Sequence, residues 1–168
     1  MATAQRDSGP AAGCVTTQSP SAVAQARGTP AGSGEALAAE LTTLLAGRLP
    51  GMLGMRIAEA SAQRVVGELT ITENVLAPNG YLHAATVVGL ADTACGIGTR
   101  LTLPAGASGF TTIELKTNYL ATARIGVVTA IATPAHGGRR TQVWDAAVHD
   151  EHTQLLALFR CTQMILYP

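Results

Sequence analysis

One carboxylate, Asp92, stands alone in the most apolar helix-compatible stretch of this chain. Between Leu82 and Thr99 (LHAATVVGLADTACGIGT) it is the sole formal charge. A carboxylate buried without partners is strongly destabilising or must shift its pKa. Chains carry such a cost where the group performs chemistry. Nine positions earlier lies His83, followed by Ala84 and Ala85 at the expected helix start. The first backbone N–H groups of a helix have no internal partner. Together with the helix dipole they favour negative charge, which is the requirement of an oxyanion hole.

The elements that must position these groups follow from periodicity and turn residues. Residues 1–34 mix Ala, Gly, Ser, Thr, Pro and Gln with almost no large apolar side chains, and read as a disordered tail. The folded domain is expected over 35–168. Glu35 to Leu49 places Leu37, Leu41, Leu44 and Leu45 on one helical face, with Pro50 and Gly51 as the stop. Gly54 to Thr72 alternates with period two and reads as a hairpin turning near Ser61 to Arg64. Asn74 to Gly80 is a loop with Pro78-Asn79-Gly80 as its turn signal, and the apolar helix ends at Pro104-Ala105-Gly106. Phe110 to Leu120, Ile125 to Ala135, Thr141 to Val148 and Leu155 to Met164 read as strands, with a turn at His136-Gly137-Gly138. An antiparallel sheet wrapped around one apolar helix, an α+β fold, satisfies this order.

Composition excludes several classes. Lys plus Arg equal Asp plus Glu at 11 each, and no basic cluster interleaves with aromatics, so no nucleic-acid partner is expected. No apolar run approaches the roughly 20 residues of a membrane span. Cys14, Cys95 and Cys161 form no CxxC pair and suit a reducing compartment, so the cytoplasm is the expected location. His149-Asp150-Glu151-His152 invites a metal reading, but no further ligand cluster supports one and no metal site is expected. GxSxG, Walker A and GxGxxG patterns are missing, which removes support for serine hydrolases and nucleotide-binding enzymes. Trp144 and Tyr119 read as core or interface aromatics.

The segment Asn79 to Gly98 (NGYLHAATVVGLADTACGIG) resembles the signature of hotdog-fold acyl-CoA thioesterases of the phenylacetate-degradation type. In that family a His-Gly-Gly is followed by an acid nine positions after the His, the separation of His83 and Asp92. Thr111 to Leu120 is similar to the family's long central strand, and Gly138 to Ala147 and Leu155 to Cys161 to its last two strands. Ala84-Ala85 replaces the usual Gly-Gly. The family's Asn or Gln six positions before the His falls on Ala77, and Asn79 is the candidate substitute.

The resemblance implies a hotdog fold and hydrolysis of an aryl-acetyl or medium-chain acyl-CoA. No cofactor is implied, because coenzyme A is part of the substrate. It casts Asp92 as nucleophile or general base, the Ala84 N–H as oxyanion donor, His83 as a positioning residue and Thr112 as a hydroxyl near the attacking water. Substrate contacts are expected from Ala85, Val88 and the phosphate-pairing Arg139 and Arg140. Val87, Val88 and Leu90 are expected along the acyl tunnel. Nine positions at 1.5 Å rise span roughly 13 Å, too far for both ends to reach one carbonyl. A two-fold homodimer would solve this, and the resemblance implies that the acid faces the oxyanion hole of the neighbouring subunit; such a dimer is expected to pair into a homotetramer. A non-catalytic acyl-CoA binding protein and an enoyl-thioester hydratase are the alternatives on the same fold.

Overall fold

The computed structural model describes residues 31–168, so residues 1–30 of the tail expected over 1–34 lie outside the described residues. The chain runs α1 (Ala31–Leu45), α2 (Leu49–Met52), β1 (Met55–Ala60), β2 (Val65–Thr70), a 3-10 turn (Glu73–Val75), α3 (Ala84–Leu101), β3 (Gly109–Tyr119), β4 (Val127–Gly137), β5 (Thr141–His149) and β6 (Leu155–Leu166). All six strands form one antiparallel sheet in the order β1-β2-β4-β5-β6-β3. It curls around α3, whose Leu90, Ala91, Ala94 and Cys95 are buried against inward-facing residues of the strands. The fold is the α+β hotdog arrangement.

Glycine and small side chains let the helix lie close to the sheet. A Cβ on Gly67 of β2 would stand 3.3 Å from Leu90 Cδ1. On the helix, Gly98 faces the ring of Trp144, and a Cβ there would overlap it. Trp144 is 1% exposed; its Nε1–H donates to Gln142 Oε1 at 3.1 Å, and Gln142 Nε2 donates to the Thr102 carbonyl at 2.9 Å. The C-terminal end of α3 is thereby clamped to β5.

Several boundaries differ from expectation. α1 begins at Ala31, inside the segment whose composition suggests a tail, and ends at Leu45 rather than Leu49. Gly47 takes a φ of +69°, a conformation glycine adopts at little cost, and ends the helix before the proline is reached. Pro50 instead opens α2, where its missing N–H is no loss. Leu44 is 41% exposed and does not share the buried face of Leu41 and Leu45. β4 runs through His136 and Gly137, so the turn falls two residues later, over 138–140, with the Gly138 N–H on the Thr141 carbonyl.

β3 is not central within the chain: it is the edge strand beyond β6. Among the described residues its eleven positions have no partner on the other edge, with Ile113, Leu115 and Tyr119 exposed. A long apolar edge of this kind is a template for a second chain.

Candidate active site

Asp92 lies midway along α3, half-buried, on the stripe that also carries Ala85, Val88 and Gly96. Burial pushes its carboxyl above the usual carboxylate range, and the Thr112 hydroxyl pulls it back part of the way. Thr112 comes from β3, with Oγ1 at 3.4 Å from Asp92 Oδ1 and 3.0 Å from Gln163 Oε1. Strand pairing fixes this meeting: Thr112 stands opposite Gln163 in the β3–β6 register, and a bulge follows at once between Thr112 and Glu114. Bulges beside a site re-aim the side chains next to them. Phe110, two residues earlier on β3, would meet a Cβ on Gly96 at 3.6 Å, one helical turn beyond Asp92. A cleft of about 290 Å³ opens there between Leu44 and Leu45 of α1, Thr93 and Gly96 of α3, and Phe110.

The start of α3 resolves the two alanines into different roles. His83 is the N-cap, with φ −67° and ψ 135°, and its Nδ1 accepts the Ala85 N–H at 3.0 Å. The Thr86 and Val87 N–H groups go to the His83 carbonyl. Among the described residues, the Ala84 N–H alone of this first turn has no acceptor. A ring accepting at Nδ1 carries its neutral-state proton on Nε2. A cavity of about 370 Å³ adjoins this turn, lined by Ala77, Asn79, His83, Ala84, Val87 and Tyr119. Tyr119 closes one side, its hydroxyl donating to the Ala84 carbonyl at 3.0 Å. Asn79 Oδ1 accepts the Tyr81 N–H at 3.2 Å, which makes Asn79 a turn former as well as a wall of this cavity.

Two groups of expected residues stay apart. Ala84 and Asp92 are eight positions distant on one helix, roughly 12 Å at 1.5 Å per residue. Arg139 and Arg140 lie in the β4–β5 turn near the C-terminal end of α3, the opposite end from His83. There the Arg139 guanidinium stands 5.5 Å from the Tyr167 ring, and the Tyr167 hydroxyl donates to the Arg139 carbonyl at 2.7 Å. Leu90, expected along an acyl tunnel, is 2% exposed and faces β2 in the core. The hairpin carboxylate Asp150 accepts the His152 and Gln154 N–H groups at 2.9 and 2.8 Å, so it shapes its own turn.

Three side chains at the site escape a reading by spacing alone. Gln163 touches Thr112, Tyr119 touches Ala84, and Arg124 stacks 4.0 Å over the Tyr81 ring at the rim of the cavity. Gln163 had a signal available: it is a polar residue in the inward alternation of Phe159, Cys161 and Ile165. A concavity of about 550 Å³ lies on the outer face of the sheet around Lys116, Asp145 and Arg160; neither Asp92 nor Ala84 lines it.

The arrangement is that of a carboxylate with a hydroxyl on one oxygen, and a separate backbone donor at a helix start. Residues 79–157 match the model of the Thioesterase superfamily. The 1,4-dihydroxy-2-naphthoyl-CoA hydrolase of Listeria monocytogenes is 37% identical over 110 residues, 66% of this chain and 89% of that one. A Staphylococcus aureus thioesterase solved with a Gln→Ala substitution is 31% identical, with a TM-score of 0.68 over 70% of this chain and 98% of its own. It has also been solved with a Glu→Ala substitution, and the two altered residues stand as far apart there as Ala77 and Asp92 do here. The Escherichia coli PaaI protein of the phenylacetic acid degradation operon shares the fold, with a TM-score of 0.68 at 22% identity over 79% of this chain and 93% of that one. The curled sheet, the helix it encloses and these likenesses agree: the chain belongs to the Thioesterase superfamily of hotdog-fold proteins and is a thioester hydrolase.

Proposed function

We propose that the chain hydrolyses an aromatic acyl-CoA to free coenzyme A and a carboxylic acid, in a site shared by two subunits. The observation that carries the reading is the pairing of a half-buried Asp92 with one unspent helix N–H, that of Ala84. Asp92 takes a proton from water, and the resulting hydroxide attacks the thioester carbon. Negative charge gathers on the carbonyl oxygen at the Ala84 N–H, as an oxyanion hole requires. The C–S bond then breaks, and the departing thiolate recovers the proton from Asp92. A carboxylate is a modest base, and burial that raises its proton affinity improves it. The methyl of Ala84 leaves the N–H in place, so replacement of a family glycine does not remove the donor.

The roughly 12 Å between Ala84 and Asp92 calls for a partner. A two-fold dimer continuing the sheet across β3 would bring antiparallel α3 helices together and create two equal sites. It would also cover Ile113, Leu115 and Tyr119 and make β3 central to a larger sheet. A homotetramer follows if two such dimers pack. His83 holds the donor turn, and Ala85 and Val88 line the seam beside Asp92.

The aromatic class is supported by the 37%-identical relative named for a naphthoyl-CoA and by the cleft with Phe110 one turn from Asp92. For coenzyme A phosphates, Arg139 and Arg140 are candidates from the partner's α3 end. Arg124 is a further candidate, stacked over Tyr81, which lines the cavity.

The test is release of free thiol from phenylacetyl-CoA, 1,4-dihydroxy-2-naphthoyl-CoA and octanoyl-CoA. Higher kcat/KM on an aromatic substrate supports the reading. Preference for octanoyl-CoA overturns the substrate class, and tight binding without turnover overturns the mechanism.

A further inference from the structure

Gln163 is 0% exposed, and a carboxamide so placed is costly unless its polar atoms are bonded. Its partners are few. Oε1 is 3.0 Å from Thr112 Oγ1, and Nε2 is 3.3 Å from Cys161 Sγ. Thr112 Oγ1 has a second neighbour, Asp92 Oδ1, at 3.4 Å. A hydroxyl has one proton to give, so it cannot serve both oxygens fully. When Asp92 is ionised its carboxylate is the stronger acceptor.

A half-turn of the amide removes the competition. Nε2 then donates to the Thr112 oxygen, Oε1 faces the Cys161 thiol, and the Thr112 proton is free to point at Asp92. When Asp92 holds a proton the order reverses: the carboxyl donates to Thr112, Thr112 to Oε1, and Nε2 to the Cys161 sulfur. The opposite orientations of one buried amide therefore match the two charge states through which a general base must pass.

We propose that Gln163 is a positioning residue for thioester hydrolysis, its carboxamide holding the Thr112 side chain so that the hydroxyl is directed at Asp92. The inference rests on Asp92 being the base. Gln163 itself touches neither Asp92 nor the cavity beside Ala84; it acts through Thr112.

The experiment is a double-mutant cycle in kcat and KM on phenylacetyl-CoA, with Gln163→Leu, Thr112→Val, the double variant and Asp92→Asn in the full-length protein. Gln163→Met, of similar volume and greater flexibility, serves in place of Gln163→Leu if the latter does not fold. Gln163→Leu is expected to lower kcat about tenfold with KM within about twofold, the scale of one hydrogen bond. In the Thr112→Val background the same change is expected to have no further effect. Equal losses in both backgrounds, a loss confined to KM, or an unchanged kcat overturns the inference. An Asp92→Asn variant that keeps its rate overturns the base assignment and this inference with it. Inactive Asp92→Asn beside fully active Gln163→Leu overturns this inference alone.

Discussion

The Asp92 carboxylate and the Thr112 hydroxyl face each other at 3.4 Å across the junction of the central helix and the edge strand. The contact ties the one charged group in the middle of α3 to the strand that, among the described residues, forms the edge of the sheet. Burial and this hydroxyl act on Asp92 in opposite directions, and burial is the larger effect.

Asp92 is therefore expected to weaken the fold it serves. Its proton affinity is higher in the native state than in the unfolded chain, so native stability falls as pH rises through the carboxylate range. Asp92→Asn cannot ionise. In thermal unfolding it should be more stable than the parent at neutral pH and equal to it below the usual carboxylate range, where both forms are uncharged. In hydrolysis assays its kcat should fall by about a hundredfold or more.

The Ala84 N–H can be deleted without breaking the helix. Ala84 is the first helical residue, where proline is well tolerated, and His83 already has the extended conformation that a following proline demands. Ala84→Pro should leave circular dichroism and the unfolding midpoint nearly unchanged while kcat drops about 10²- to 10³-fold, as for loss of an oxyanion donor. An active, well-folded Ala84→Pro would remove this N–H from the mechanism.

Much of the fold is legible in the sequence because it rests on local periodicity. The β1–β2 hairpin turns at Ser61–Arg64, and α3 starts and stops within two residues of its apolar run. What was not legible depended on competition or distance. Gly47 ends α1 before Pro50 can, a contest between two helix-breaking signals three residues apart. The spent Ala85 N–H depends on the rotation of one imidazole, and Gln163 meets Thr112 across 51 positions of chain. The edge position of β3 is a property of strand order, which periodicity does not carry.

Gly98 should tolerate no side chain. A methyl at this position would overlap the Trp144 ring, which is held by its bond to Gln142. Gly98→Ala is expected to destabilise by about 1–3 kcal/mol, measured by denaturant unfolding. Activity of the folded fraction at low temperature should change little, because the clamp sits at the end of α3 remote from Ala84.

The arginines can be separated by carrier. If Arg124 meets coenzyme A phosphates, Arg124→Ala raises KM for an acyl-CoA about tenfold and leaves KM unchanged for the corresponding N-acetylcysteamine thioester, which has no phosphate. The same comparison on Arg139→Ala and Arg140→Ala assigns their share. An equal change on both carriers would assign Arg124 to the fold.

The shared site is tested most directly by a heterodimer of Ala84→Pro and Asp92→Asn subunits, isolated with two different tags. Each homodimer should be inactive. If Ala84 of one subunit works with Asp92 of the other, the heterodimer holds one site with both groups intact and one with both lost. It is then expected to recover about half of the parent rate per dimer. If both groups act from the same chain, neither site is intact, and a heterodimer as inactive as its parents would contradict the account.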